Sequence, residues 1–181
     1  MTKERLGRDL VHWHVADIAY VRDEDKAREL LAQRGFSGAR FFHDRQTGTD
    51  ALLARNGDGA VLAFRGTEKN HQDILTDLRF RFRDKGVFRV HRGFDASWLS
   101  VRDEVCPRVR ALMRHGVRVA ATGHSLGGAV ALRAAAGLGL GEVVTFGAPG
   151  SATAPSRPMP GQRPTTAAMC AAPTSFLWCR C

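Results

Sequence analysis

The stretch Val117–Leu132, with the sequence VRVAATGHSLGGAVAL, decides how this chain folds. It begins as an apolar run typical of a buried strand, turns at Gly-His-Ser-Leu-Gly, and continues at once with a helix pattern. A serine between two glycines at such a junction is typical of a nucleophile elbow, in which Ser125 stands at the end of a sheet. Gly123 and Gly127 leave room where a Cβ atom would collide with the crossing chain.

The neighbours of Ser125 are suited to stabilising negative charge. The helix after the turn has its amino end, the positive end of its dipole, at the serine. The backbone N–H of Leu126 is therefore a candidate oxyanion donor. His124 is adjacent in the sequence, but in such a turn its side chain is expected to point away from the hydroxyl.

Length and composition indicate one globular domain without a membrane anchor. The chain has 181 residues, of which 44% are hydrophobic and 25% charged, as in soluble proteins. The sequence shows neither a secretory signal nor an apolar run of membrane-spanning length, so a cytoplasmic location is expected. The oligomeric state cannot be read from these features.

The net charge of +9 could indicate a nucleic acid or an anionic surface as partner. The arginines are spread along the chain and form no basic run, so we expect no nucleic-acid partner. The four cysteines form neither a disulfide framework nor a zinc spacing, and we expect no cofactor and no metal site. His12 and His14 could in principle form a metal pair, but two-residue spacing on a helix favours surface histidines.

Helix and strand patterns alternate along the first 150 residues. Amphipathic periodicity predicts helices at Asp9–Tyr20 and Glu24–Gln33, a helix that begins near Gln72, and a long helix that starts near Gly93. Apolar runs predict strands at 39–44, 50–55, 60–65, 117–122 and 142–146, and the basic–aromatic alternation Arg79–Arg83 favours an extended segment. The alternation of predicted strands and helices along the chain predicts an α/β fold with a mostly parallel sheet and flanking helices.

The composition changes at Ser151. Residues 151–181 contain five prolines and no Asp, Glu, His or Lys. We therefore expect a domain at 1–150 and a Pro/Ala-rich tail at 151–181 that is disordered.

Five sequence blocks together resemble the class 3 lipases, the fungal-lipase-like branch of the α/β-hydrolase fold. They are VLAFRGT at 61–67, DILTDL at 73–78, VHRGF at 90–94, GHSLGG at 123–128 and TFGAP at 145–149. Their order and approximate spacing are those of the family, and the resemblance covers about 41–149. It implies an α/β-hydrolase core and an ester or lipid substrate.

The resemblance also implies roles for individual residues. Ser125 matches the acyl-forming nucleophile, Leu126 supplies one oxyanion N–H, and Thr67 matches the second oxyanion residue. Gly123, His124 and Gly127 complete the elbow. Residues 68–80 correspond to the lid region, although Ile74 stands where the family usually has tryptophan.

The partners that would activate the serine are missing from the sequence. In α/β-hydrolases an acid and then a histidine follow the nucleophile, but after Ser125 the chain has only Glu142, at the start of the next strand. His71, His115 and His124 are upstream or adjacent, and nothing in the sequence orients any of them as the base. No triad acid or histidine is identifiable, so we expect impaired catalysis. We interpret the chain as truncated or frameshifted after about residue 150, without the C-terminal strands of the family.

Two functions remain open on this evidence. One is a carboxylester hydrolase, and the other is a non-catalytic remnant or an acyl- or lipid-binding module.

Overall fold

The computed structural model describes residues 3–66, 71–148, 165–172 and 175–180, with side-chain surroundings for 6–66 and 93–148. The helices are α1 (Lys3–Ile18), α2 (Glu24–Ala32), α3 (His71–Arg114) and α4 (Leu126–Leu138). The strands are β1 (Gly38–Asp44), β2 (Thr49–Arg55), β3 (Ala60–Phe64), β4 (Val119–His124), β5 (Glu142–Phe146), β6 (Thr165–Ala172) and β7 (Ser175–Arg180).

The seven strands described form one sheet in which neighbours in sequence are neighbours in space. Strands β3, β4, β5 and β6 run parallel, whereas β1–β2, β2–β3 and β6–β7 pair antiparallel. The predicted α/β fold with flanking helices is confirmed, but the sheet is mixed and not mostly parallel. Helix α3 lies between β3 and β4 and helix α4 between β4 and β5, since a short turn cannot join parallel strands. Because these three strands are parallel, their carboxyl ends lie at one edge of the sheet.

Helices cover both faces of the sheet. On one face, α3 and α4 pack against the strands, and α3 buries a stripe spaced three or four residues apart. The stripe consists of Phe94, Trp98, Val101, Val105 and Val109. Asp95 of α3 also forms an ion pair with Arg133 of α4. On the other face, α1 packs against β3, β4 and β5, and α2 packs against β1.

Helix α1 buries two polar residues against the sheet. Asp9 and His12 are 7% and 5% exposed, and Nδ1 of His12 lies 2.7 Å from the carbonyl oxygen of Arg8. The prediction of a surface position is therefore wrong for His12. The neighbouring apolar residues Leu10 and Trp13 are more exposed than His12. The face of α1 that packs on the sheet therefore differs, by a rotation about the helix axis, from the face that the apolar residues predict.

Helix α3 joins without a break the helix predicted near Gln72 and the long helix predicted near Gly93. The structure has helix from His71 to Arg114, so the predicted extended segment at Arg79–Arg83 is wrong. Five alternating residues are too few to fix a strand, and no proline interrupts residues 71–92.

The structure has two strands, β6 and β7, in the segment 151–181, for which we predict disorder. Both follow 142–146, the last strand that the sequence predicts. Thr165 of β6 pairs with Glu142, and the register continues to Met169 and Phe146. Strand β5 is therefore not an edge of this sheet. The unpaired N–H and C=O groups of an edge strand favour pairing with any extended segment, an effect that composition does not reveal. The domain boundary near residue 150 stays a prediction.

Two buried threonines on adjacent central strands provide a matched test of the core. Thr122 donates a hydrogen bond to the carbonyl of Val144 at 2.8 Å, whereas the hydroxyl of Thr145 has no partner among the described residues. We expect Thr122→Val to lower the free energy of unfolding by about 1 kcal/mol, because a hydrogen bond to a buried carbonyl is lost. Thr145→Val should leave it unchanged or raise it. Urea denaturation of both variants measures the difference, and equal effects would contradict this account.

Candidate active site

Ser125 has a strained backbone at the turn between β4 and α4. Its φ of 53° and ψ of −123° make it the only non-glycine residue with positive φ in the part of the chain that the structure describes. Such conformations cost of order 1–3 kcal/mol and persist only where the surroundings hold them. The turn directs the chain from the end of a strand straight into a helix, as a nucleophile elbow requires.

Glycines allow the chain to pass very close to itself around this turn. A Cβ atom on Gly123 would overlap the carbonyl group of Gly127, and one on Gly127 would overlap the carbonyl group of Phe64. A Cβ atom on Gly66 would overlap the carbonyl oxygen of His124. The end of β3, the end of β4 and the first turn of α4 are therefore in direct backbone contact.

Hydrogen bonds hold Ser125 at the edge of the sheet. Its N–H donates to the carbonyl of Phe146 at 2.8 Å, and its own carbonyl accepts from Gly128 N–H at 3.0 Å. Leu126 is the first residue of α4, where backbone N–H groups have no carbonyl of the same helix to donate to. Thr67, the second predicted oxyanion residue, lies outside the described residues, and so do residues 68–70 of the lid region.

The side chain of His124 lies on the α1 face of the sheet. Its ring makes edge-on contacts with Trp13 and Tyr20, at centroid distances of 6.0 and 6.3 Å. Nδ1 lies 3.4 Å from the Tyr20 hydroxyl. These residues, with Ala16 and Asp17, line a cavity of about 250 Å³.

A larger cavity of about 780 Å³, here called the rim groove, opens above the carboxyl ends of β1 and β3 and the amino end of β2, which lies between them. Leu126 and Val130 of α4 line one side of it, next to Ser125. The β1–β2 turn and the connection between α1 and α2 line the other side. Ligands of α/β sheets bind in crevices outside the carboxyl ends of the strands, so this groove is the candidate substrate site.

A row of charges crosses the outer part of the groove, from α2 to the end of β3. His43 lies 2.8 Å from a carboxylate oxygen of Asp50 and 3.1 Å from one of Glu24. The second oxygen of Asp50 pairs with Arg65 at 2.5 Å. The hydrogen bond with Asp50 raises the pKa of His43 above its usual value; the carboxylate of Glu24 adds to this effect, and partial burial opposes it.

The structure places none of the described histidine side chains as a base for Ser125. His43 is three strands from the elbow, about 14 Å at the usual strand spacing, which is beyond hydrogen-bond reach. His115 follows α3 at the end of the sheet opposite the elbow, and His124 is held by Tyr20. Glu142 pairs with Ala120 at the amino end of β5, which also separates it from the serine.

Comparison with known proteins agrees with this geometry. The sequence profile of the family described as Lipase (class 3) matches residues 61–154, which is more than half of the chain. The chain belongs to the class 3 lipase family. None of the helices among the described residues is long and apolar enough to cross a membrane.

Solved structures of fungal lipases share the fold of this chain. The lipase of Rhizopus microsporus var. chinensis is 25% identical, with a TM-score of 0.63 over 82% of this chain and 59% of that one. Lipase II of Rhizopus niveus is 25% identical, with a TM-score of 0.62 over 82% and 64%. The propeptide complex of Rhizomucor miehei lipase is 21% identical, with a TM-score of 0.63 over 82% and 54%. The chain thus spans between 54% and 64% of the length of these lipases.

The glycines of the elbow should tolerate no side chain. We expect Gly127→Ala to lower the free energy of unfolding by about 3 kcal/mol, because its Cβ atom would meet the backbone of β3. Gly7→Ala is the control, since Gly7 lies within α1 with open space around it. That change should raise stability by about 0.5–1 kcal/mol through helix propensity. Thermal denaturation distinguishes the two, and a harmless Gly127→Ala would contradict the close approach.

The charge row should make stability depend on pH through His43. The pKa of His43 is raised in the folded state. Its contribution to the free energy of unfolding is therefore complete below the pKa of the unfolded chain, near 6.5, and is lost as the pH rises through the pKa of the folded state. The side chain is half exposed, so the contribution should be below about 1 kcal/mol. His43→Gln should therefore lower the free energy of unfolding more at pH 5.5 than at pH 9. If the loss of unfolding free energy in His43→Gln is the same at both pH values, or is larger at pH 9, the proposed role of His43 is refuted.

Proposed function

We propose that this chain is a lipase-type carboxylester hydrolase in which Ser125 is the nucleophile. The observation that carries the proposal is the backbone of Ser125, held at positive φ between a parallel strand and the amino end of a helix. Strain of this kind at a polar residue is typical of functional sites. The family of the chain supplies the reaction class.

The proposed reaction is acyl transfer through the serine. The Ser125 oxygen bonds to the ester carbonyl carbon, the bond from that carbon to the alcohol oxygen breaks, and the serine proton ends on the departing alcohol. The backbone N–H groups of Leu126 and Thr67 would stabilise the negative charge on the carbonyl oxygen. Water then hydrolyses the acyl-enzyme and regenerates the serine. The rim groove would bind the ester or lipid substrate beside Leu126.

Proton transfer limits this reaction in the chain as given. No Asp or His follows Ser125 in the sequence, and no described histidine side chain lies within reach of its hydroxyl. A serine hydrolase without its base loses on the order of a million-fold in turnover. We therefore propose that Ser125 is acylated slowly and turns over weakly.

Hydrolysis of p-nitrophenyl butyrate, with imidazole added to the buffer, tests this function. Wild-type protein should hydrolyse the ester slowly, and imidazole should accelerate the reaction at least about tenfold by acting as the missing base. Ser125→Ala is the control, and it should show only the reaction of imidazole with the ester in solution. Equal rates for the two proteins would refute the proposal, and a fast rate that imidazole does not change would show that the chain supplies its own base.

The alternative is an acyl- or lipid-binding module. It is favoured by a 780 Å³ groove next to a serine that none of the described histidine side chains reaches. In that case, a fatty acid should bind wild-type and Ser125→Ala protein equally, and no p-nitrophenol should be released in a burst by either.

A further inference from the structure

One tyrosine hydroxyl joins the two segments that carry the proposed oxyanion donors. Tyr20, just after α1, accepts a hydrogen bond from the backbone N–H of Gly66 at 3.1 Å. The same oxygen lies 3.4 Å from Nδ1 of His124 and 3.5 Å from its carbonyl oxygen. Gly66 precedes Thr67, and His124 precedes Ser125 and Leu126.

A phenol hydroxyl can serve both segments at once. It has one proton to donate and lone pairs to accept with. Since the Gly66 N–H can only donate, the Tyr20 oxygen accepts from it, and the hydroxyl proton can be donated to the carbonyl oxygen of His124 at 3.5 Å. The hydroxyl therefore bridges the end of β3 and the end of β4 above the last paired residues of the two strands.

Packing fixes the tyrosine in this position. A Cβ atom on Gly66 would overlap both the Tyr20 hydroxyl and the carbonyl oxygen of His124, so these three groups leave no room for a side chain between them. The rings of Trp13 and Tyr20 both meet His124 edge-on.

We propose that Tyr20 is a positioning residue for the oxyanion hole. Its hydroxyl fixes the distance between Gly66, which leads into Thr67, and the elbow that carries Ser125 and Leu126. This inference rests on the proposed function, because it concerns two donors to one oxyanion. Such donors act only when both lie within about 3 Å of that oxygen, so loosening one segment reduces stabilisation of the transition state without removing a donor.

Tyr20→Phe tests the role, because it keeps the ring and removes the hydroxyl. The first measurement is hydrogen exchange of the Gly66 amide by NMR, which should become at least tenfold faster. The amide of Ser125, bonded to Phe146 at 2.8 Å, serves as the internal control and should not change. The second measurement is the reaction of Ser125 with a p-nitrophenyl alkylphosphonate. Its maximal rate should fall about tenfold or more, whereas the concentration giving half the maximal rate should change little.

Thr122→Val is the matched control variant. It also removes one hydroxyl from the strand that ends at the elbow, with its hydrogen bond to Val144 and a longer contact with the carbonyl oxygen of His12. It should leave both measurements unchanged. The proposal is overturned if Tyr20→Phe leaves Gly66 exchange unchanged, or if exchange accelerates while the phosphonate reaction keeps its rate.

The phosphonate reaction of the wild-type protein separates failure of the proposed function from failure of the positioning role. If wild-type protein does not react with the phosphonate at Ser125, the proposed function is overturned and Tyr20 has no part in such a reaction. If wild-type reacts and Tyr20→Phe reacts equally fast, the function stands and the positioning role is overturned.

Discussion

Backbone atoms of three segments touch at the carboxyl ends of β3 and β4, and the site depends on this contact. Gly66, Gly123 and Gly127 are the points where the segments meet, and a single methyl group at any of them would overlap a neighbouring atom. The contact leaves Ser125 no room to relax to negative φ. The hydrogen bond from Ser125 to Phe146 anchors the turn to β5, so strain at one residue is held by three strands and a helix.

The two faces of the sheet contribute in different ways. The face under α3 and α4 is a packed apolar core that sets the position of the helix amino end behind Ser125. The face under α1 and α2 is more polar: it holds His12, the charge row and the Tyr20 hydroxyl. Polar groups there link β1, β2 and β3 at the edge of the sheet that carries the elbow. The apolar face thus supplies most of the burial, and the polar face sets the relative positions of the strand ends.

The elements that local sequence determines were predictable. The elbow, β5 and the hairpin of β2 and β3 follow from apolar runs and glycine turns, and their bounds agree within a residue or two. The burial of His12 and the role of Tyr20 were not predictable, since Tyr20 and His124 are 104 residues apart and no pattern links them. The strands β6 and β7 were missed because their pairing depends on the open edge of β5 and not on their own composition.

At position 125, the residue that would be most stable in this backbone conformation differs from the residue that the reaction needs. Glycine is the one residue that adopts positive φ without steric cost, so among replacements at this position it alone would keep the turn and remove its strain. It would also remove the oxygen on which any acyl transfer depends. A library of variants selected only for resistance to heat would therefore tend to exchange the nucleophile for glycine. Engineering of this scaffold needs a selection for covalent reactivity alongside the one for stability.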